Sequence, residues 1–177
     1  MARKQPERAA LDLTLDDFLR LTPEKRKGPG FKWPSFGLGG LFRPKMPERL
    51  AFFTILAIAT EVDGYVQDEE RAELRALCRR TKTLFKIKDD EIDRMHRSIK
   101  PRFEKSKMGP LLEQACRSIA GEAKRLSVFG HACDLVMADR VILRSERDYL
   151  DTLHRLLALP EDKTEEMLRV IKIKNAH

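Results

Sequence analysis

The chain has 177 residues, of which 42% are hydrophobic, 36% charged and 7% aromatic. That length carries one domain with a real core, and that balance excludes collagen-like and wholly disordered chains. Few aromatics and no long Val/Ile/Thr-rich runs argue against a sheet-based fold. The net charge of +7 is uneven: residues 1–46 hold ten Lys/Arg against five Asp/Glu, and residues 47–177 hold 25 against 23. The basicity that could meet nucleic acid, anionic lipid or an acidic protein face therefore belongs to the N-terminal segment.

The opening MARKQPERAA has no apolar stretch behind its basic residues, so no signal peptide is expected. Leu11 to Leu21 reads as a short amphipathic helix capped by Thr14, with Leu15, Phe18 and Leu19 on one face. From Pro23 to Pro47, prolines and glycines recur too densely for any regular element. Interleaved with them are Phe31, Trp33, Phe36, Leu38, Leu41 and Phe42.

From Pro47 the pattern becomes helical. Pro47 suits a first helical position, and Glu48 favours the same end through the helix dipole. The following ERLAFFTILAIATEV is apolar nearly all round, which predicts a helix central in a bundle. Its most apolar run, Leu50 to Ala59, is too short to cross a bilayer, so no transmembrane segment is expected. Asp63-Gly64 breaks it. A second helix is predicted from Gln67 to Leu84 with Leu74, Leu77, Cys78 and Leu84 inward. A third starts at Asp89 or Asp90, carries Ile92, Met95, His96 and Ile99, and stops near Pro101.

Gly109-Pro110 is expected to precede a fourth helix, with Leu111, Leu112, Ala115, Cys116, Ile119 and Ala120 as its apolar face. A bend at Gly121–Ala123 leads to a fifth, with Leu126, Val128, Phe129, Ala132, Cys133, Val136 and Met137. Asp139 to Arg144 is the second break. Ser145-x-x-Asp148 resembles a capping box at the start of a sixth helix, which runs to Ala158. A last helix, Glu165 to Lys174, starts at Asp162 or Thr164. The fold class is all-α: a bundle of about seven helices over residues 47–177, preceded by a basic, partly disordered Pro/Gly/aromatic segment over 1–46.

The two breaks are related. Moved on by 76 residues, Asp63, Val66, Glu70, Arg71, Leu74 and Leu77 fall on Asp139, Ile142, Glu146, Arg147, Leu150 and Leu153. This internal repeat predicts a pseudo-two-fold bundle with two equivalent corners. Asp-Gly makes a tight turn, the apolar Val66 or Ile142 pins the loop in the core, and Glu70 or Glu146 sits in the next helix's first turn. For the second corner that structural account suffices.

The first corner holds more: Glu61, Asp63, Asp68, Glu69 and Glu70 are all carboxylates. Against the calcium loop of EF-hands, Glu61 takes the third position, Asp63 the fifth, Gly64 the sixth and Glu70 the twelfth, while Ala59 is wrong at the first. Half of a hard-cation site is present. Glu61, Asp63 and Glu70 are thus candidate ligands for Ca²⁺, Mg²⁺ or Mn²⁺, which would relieve their mutual repulsion. Arg140 and Met137 replace Gly64 and Glu61 in the second copy and argue against a metal there.

The doubled D-G-x-[VI]-x-x-x-E pattern at Asp63–Glu70 and Asp139–Glu146, with the closing LALPEDKTEEMLRVI, resembles the tellurite-resistance TerB domain over roughly residues 47–177. The resemblance implies about seven helices in two related halves. It implies a cytosolic, non-enzymatic role in bacterial stress or tellurite resistance through protein partners, often near the inner membrane. It also implies divalent-metal binding through acidic corners, a pattern that Asp63 and Glu70 match and Arg140 departs from.

Other chemistry has little support. P-loop, GxSxG, HExxH and dinucleotide fingerprints are absent. Cys78, Cys116 and Cys133 are odd in number and form no CxxC, which reads as reduced thiols of a cytosolic protein. His131, Cys133 and Asp134 lack paired zinc-ligand spacing. His96 and His154 are single residues on amphipathic helices. Cys78 beside Arg79 and Arg80 could have a lowered thiol pKa, yet no base or oxyanion site accompanies it, so no enzyme is expected. The segment 25–45 has three readings: Phe31, Trp33, Phe36 and Phe42 fold back on the bundle, or contact a membrane or protein partner, or bind nucleic acid, in that order of preference. The alternative function is accordingly a membrane-surface or nucleic-acid adaptor with the bundle as scaffold.

Overall fold

The computed structural model describes residues 13–14, 45–62, 68–103, 105–137 and 141–174. Seven α-helices lie among them: α1 Glu48–Ala59, α2 Asp68–Arg80, α3 Asp89–Ile99, α4 Lys105–Ser118, α5 Glu122–Val136, α6 Arg144–Leu157 and α7 Glu161–Lys174. The expected all-α bundle is present. Moving α1, α2 and α3 on by 76 residues lands them on α5, α6 and α7.

The bundle is arranged around α1. Every residue from Ala51 to Ala59 is buried. A helix with no polar face has to be enclosed, and α4, α5 and α3 pack against it, with α6 behind α4 and α5. Its one side-chain hydroxyl, Thr54, is wholly buried and donates to the Leu50 carbonyl at 2.7 Å. Tyr149 of α6 is also wholly buried and donates to the Ile55 carbonyl at 2.7 Å. Burial raises the Tyr149 pKa well above its usual value, so the phenol stays neutral and remains a donor.

The connections follow local chemistry. The second helix was expected to reach Leu84, but α2 stops at Arg80. Thr81 is extended, returns its hydroxyl to the Leu77 carbonyl at 2.8 Å, and starts a 3₁₀ turn over Lys82–Leu84 that buries Leu84 completely. Gly109-Pro110 does not precede α4 but lies inside it. The partner lost to Pro110 would be the Ser106 carbonyl in the helix's first turn, where tight bonding matters least, and the added turn buries Met108. The bend before α5 is real: Gly121 has φ +82°, a conformation that other residues resist. Ala120, expected on the inward face of α4, is exposed.

Corner geometry also departs from expectation. α6 begins at Arg144, so the capping pair is not Ser145 and Asp148. Glu146, third in the helix, accepts the Leu143 N–H at 2.7 Å; leucine has no side-chain acceptor, so only the Glu half of a capping box is made. Ile142 is buried as the pin of this corner. Val141–Ile142 forms a two-residue strand, β2, antiparallel to β1 at Leu13–Thr14. Extended backbone at Thr14 suits a residue that caps a helix, but Leu13 and Thr14 are not helical as the 11–21 reading had them. The rest of that stretch lies outside the described residues.

Two predictions follow from this core. Tyr149→Phe leaves the Ile55 carbonyl its in-helix partner and is expected to cost about 1 kcal/mol, lowering Tm by about 2–4 °C in thermal unfolding followed by circular dichroism. The second concerns His131 on α5, which packs edge-on against Phe52 with ring centroids 6.1 Å apart. Burial lowers its pKa from 6.5; Asp134 opposes the shift, and Arg80 and Lys174 add to it. The unfolded chain therefore binds the proton more readily, and stability present above the unfolded pKa is lost as pH falls through the lowered folded value. Urea midpoints from about pH 7 to about pH 5 are expected to fall, and to fall less in His131→Gln.

Candidate functional site

Where α1 ends, its last turn tightens. Thr60 donates its hydroxyl to the Ala57 carbonyl at 3.0 Å, and the Glu61 N–H bonds the Ile58 carbonyl at 3.1 Å. This delivers the Glu61 carboxylate, half-buried, to the face of α3. There His96 Nε2 lies 3.3 Å from Glu61 Oε1. The imidazole packs edge-on to Phe103, with ring centroids 6.0 Å apart, which holds its orientation.

A cavity of about 250 Å³ opens beside this pair, between the end of α1 and the facing sides of α2 and α3. Phe53, Leu74 and Ile92 form its buried apolar floor. On the wall, Arg75 of α2 meets Asp93 of α3 at 2.5 Å and lies 3.9 Å from Asp89. Asp89 in turn takes Arg79 at 2.5 Å, so α2 and α3 are laced by charge. These pairs are well exposed, and each contributes about 0–1 kcal/mol.

Of the predicted cation ligands, Glu61 is the one whose side chain is described, and it meets a histidine. Asp63 lies outside the described residues. Glu70 is described as backbone only, third in α2 as Glu146 is third in α6. Phe31, Trp33, Phe36 and Phe42 also lie outside the described residues. Among the described residues, no three His, Cys, Asp or Glu side chains converge as a metal site. His96 was read as a solitary helix residue, and its pairing with Glu61 spans 35 positions. Its spacing from Ile92 and Ile99 did put it on the inward face; no local motif names its partner.

The thiols are inert by position. Cys78, Cys116 and Cys133 are buried and unpaired with one another. The activating effect weighed for Arg79 and Arg80 is overturned: burial pushes the Cys78 thiol up to about 12, against the attraction of Arg75. Cys116 and Cys133 are raised further by the same cause.

A family model described as tellurite resistance protein TerB matches residues 49–169. The chain belongs to the TerB family. Comparison with curated proteins and with solved structures gave no match. The TerB span begins in α1 and ends in α7, so it contains the Glu61–His96 pair, the cavity and both corners. The basic segment before residue 45 lies outside it. No helix among the described residues is long and apolar enough to cross a membrane.

The buried TerB thiols give a direct check. Native protein mixed with a thiol-reactive disulfide dye is expected to react slowly at all three cysteines, at a rate set by unfolding, and to react fully in denaturant.

Proposed function

We propose that this TerB-family protein is a non-catalytic module of a bacterial stress response of the tellurite-resistance type. It works by contact with protein partners in the cytoplasm, including partners at the inner membrane, and holds a divalent cation at the Asp63–Glu70 corner. The observation that supports the cation reading is the state of Glu61. His96 occupies Oε1, while Oε2 has no partner among the described residues. A carboxylate so oriented keeps acceptor capacity for a metal, and carboxylate ligands are commonly held in place by a hydrogen bond such as this one. All-oxygen donors suit Ca²⁺, Mg²⁺ or Mn²⁺ over softer ions.

Glu61, Asp63 and Glu70 would hold the ion; its charge would neutralise the corner and stiffen the link between α1 and α2. The competing role for Glu70 is visible at the other corner, where Glu146 caps its own helix. The cation reading requires that Glu70 not be spent that way.

Calorimetric titration of Ca²⁺, Mg²⁺ and Mn²⁺ into the full chain decides between the roles. Saturable heat in wild type that is lost in Asp63→Asn/Glu70→Gln is expected. Flat traces in both proteins, with only a lower Tm in the variant, would leave Glu70 as a helix cap.

A further inference from the structure

Between α2 and α3 the chain reads RRTKTLFKIK over residues 79–88, five cations with no carboxylate. Its apolar residues are divided. Leu84 and Ile87 are buried, whereas Phe85, between them, is 64% exposed. Backbone hydrogen bonds close the turn, the Phe85 N–H to the Lys82 carbonyl at 3.2 Å and the Ile87 N–H to the Leu84 carbonyl at 3.0 Å. Lys86 completes it with φ +60°, a left-handed conformation that a lysine adopts only at a cost. The ring is thus held outward between two buried anchors, with the Lys86 ammonium 5.4 Å from its centroid.

The cations around the ring are unanswered. The carboxylates that open α3 are taken elsewhere, Asp89 by Arg79 at 2.5 Å, Asp90 by Arg94 at 3.1 Å and Glu91 by Arg49 at 3.5 Å. Arg80, Lys82, Lys86 and Lys88 are exposed and have no ion pair among the described residues. The end of α7 lies close by: Lys174 and Arg80 both act on His131, whose Nε2 is 3.5 Å from the Thr81 hydroxyl. It carries Val170 and Ile173, 59% and 66% exposed, which with Phe85 are the exposed large apolar side chains among the described residues.

An occupant of this surface has to be both anionic and apolar. The chain's own N-terminal segment, with ten Lys/Arg against five Asp/Glu, has the wrong charge. A nucleic acid offers phosphates and base faces, but Val170 and Ile173 cannot stack on bases as aromatic rings do. An anionic bilayer supplies headgroup phosphates for the cations and acyl chains for the apolar side chains. We propose that the turn at residues 79–88 docks on an anionic lipid bilayer, with Phe85 sunk among the acyl chains and Arg80, Lys82, Lys86 and Lys88 on the headgroups. This proposal uses neither the Asp63–Glu70 corner nor residues 25–45 and stands whether or not a cation binds.

Co-sedimentation of the full chain with lipid vesicles is the test. Wild type is expected to bind vesicles of about 3:1 phosphatidylcholine and phosphatidylglycerol, and to bind pure phosphatidylcholine at least about tenfold more weakly. Lys82→Gln/Lys86→Gln/Lys88→Gln should weaken binding by about thirtyfold or more and Phe85→Ser by about tenfold, with unchanged helical spectra because these side chains are exposed. In Trp33→Phe/Phe85→Trp the single tryptophan reports on position 85, and its emission should shift to the blue on vesicle binding. The proposal fails if wild type ignores anionic vesicles, if both loop variants bind as wild type does, or if the protein sediments without a blue shift. Loss of single-stranded DNA binding in the loop variants, with vesicle binding intact, would assign the turn to nucleic acid and overturn it equally.

Discussion

Burying the long apolar run of one helix is the constraint that organises this protein. Nine consecutive residues of α1, Ala51 to Ala59, are shielded from water, and no face of that run is left to carry charge. Fully burying a Leu, Ile or Phe side chain is worth about 1.5–3 kcal/mol, so α1 concentrates a large share of the driving force in little more than three turns. A surface helix can settle with one neighbour. This one requires neighbours on all sides, and α3, α4 and α5 supply them. The seam with α6 is completed by the hydrogen bond from Tyr149 to Ile55.

Two features of the site descend from that arrangement. α1 must stop where its apolar run stops, and the next residue with a charge is Glu61, which is set down at the edge of the core. The helices that wall the cavity, α2 and α3, are the strongly charged ones, and they meet through Arg75, Asp93, Arg79 and Asp89 and not through a broad apolar face. A gap with a greasy floor and a charged rim is what remains when charged helices lean against the end of an apolar one. The thiols follow the opposite logic: they are core filler, and burial removes their reactivity.

Much of the fold was legible in the residues because local patterns and tertiary packing agree. Apolar spacing located the seven helices, and Leu74, Leu77, Leu84, Ile92, Leu153 and Ile142 are buried as their positions required. The misreadings occurred where a local signal lost to packing. Gly109-Pro110 is a strong breaker, yet burial of Met108 carries α4 a turn past it. Thr81 gives no warning in composition; its extended backbone is set by the need to turn Leu84 into the core. The capping pair moved because helix starts shift easily by a residue.

The site was less legible than the fold. Carboxylate density marked the Asp63–Glu70 corner, but the partner of Glu61 is 35 residues away on another helix, and spacing rules do not cross helices. The wall of the cavity is equally known only after Arg75 has found Asp93.

Native-state hydrogen exchange tests the central claim, the dependence of the bundle on α1. If the bundle is built around this helix, the amides of Ala51 to Ala59 exchange only through global unfolding and form the slowest class, while those on the outer face of α7, around Val170 and Ile173, exchange by local opening. Exchange of the α1 amides as fast as those of α7 would show that α1 can open while the rest stays folded, and would contradict the account.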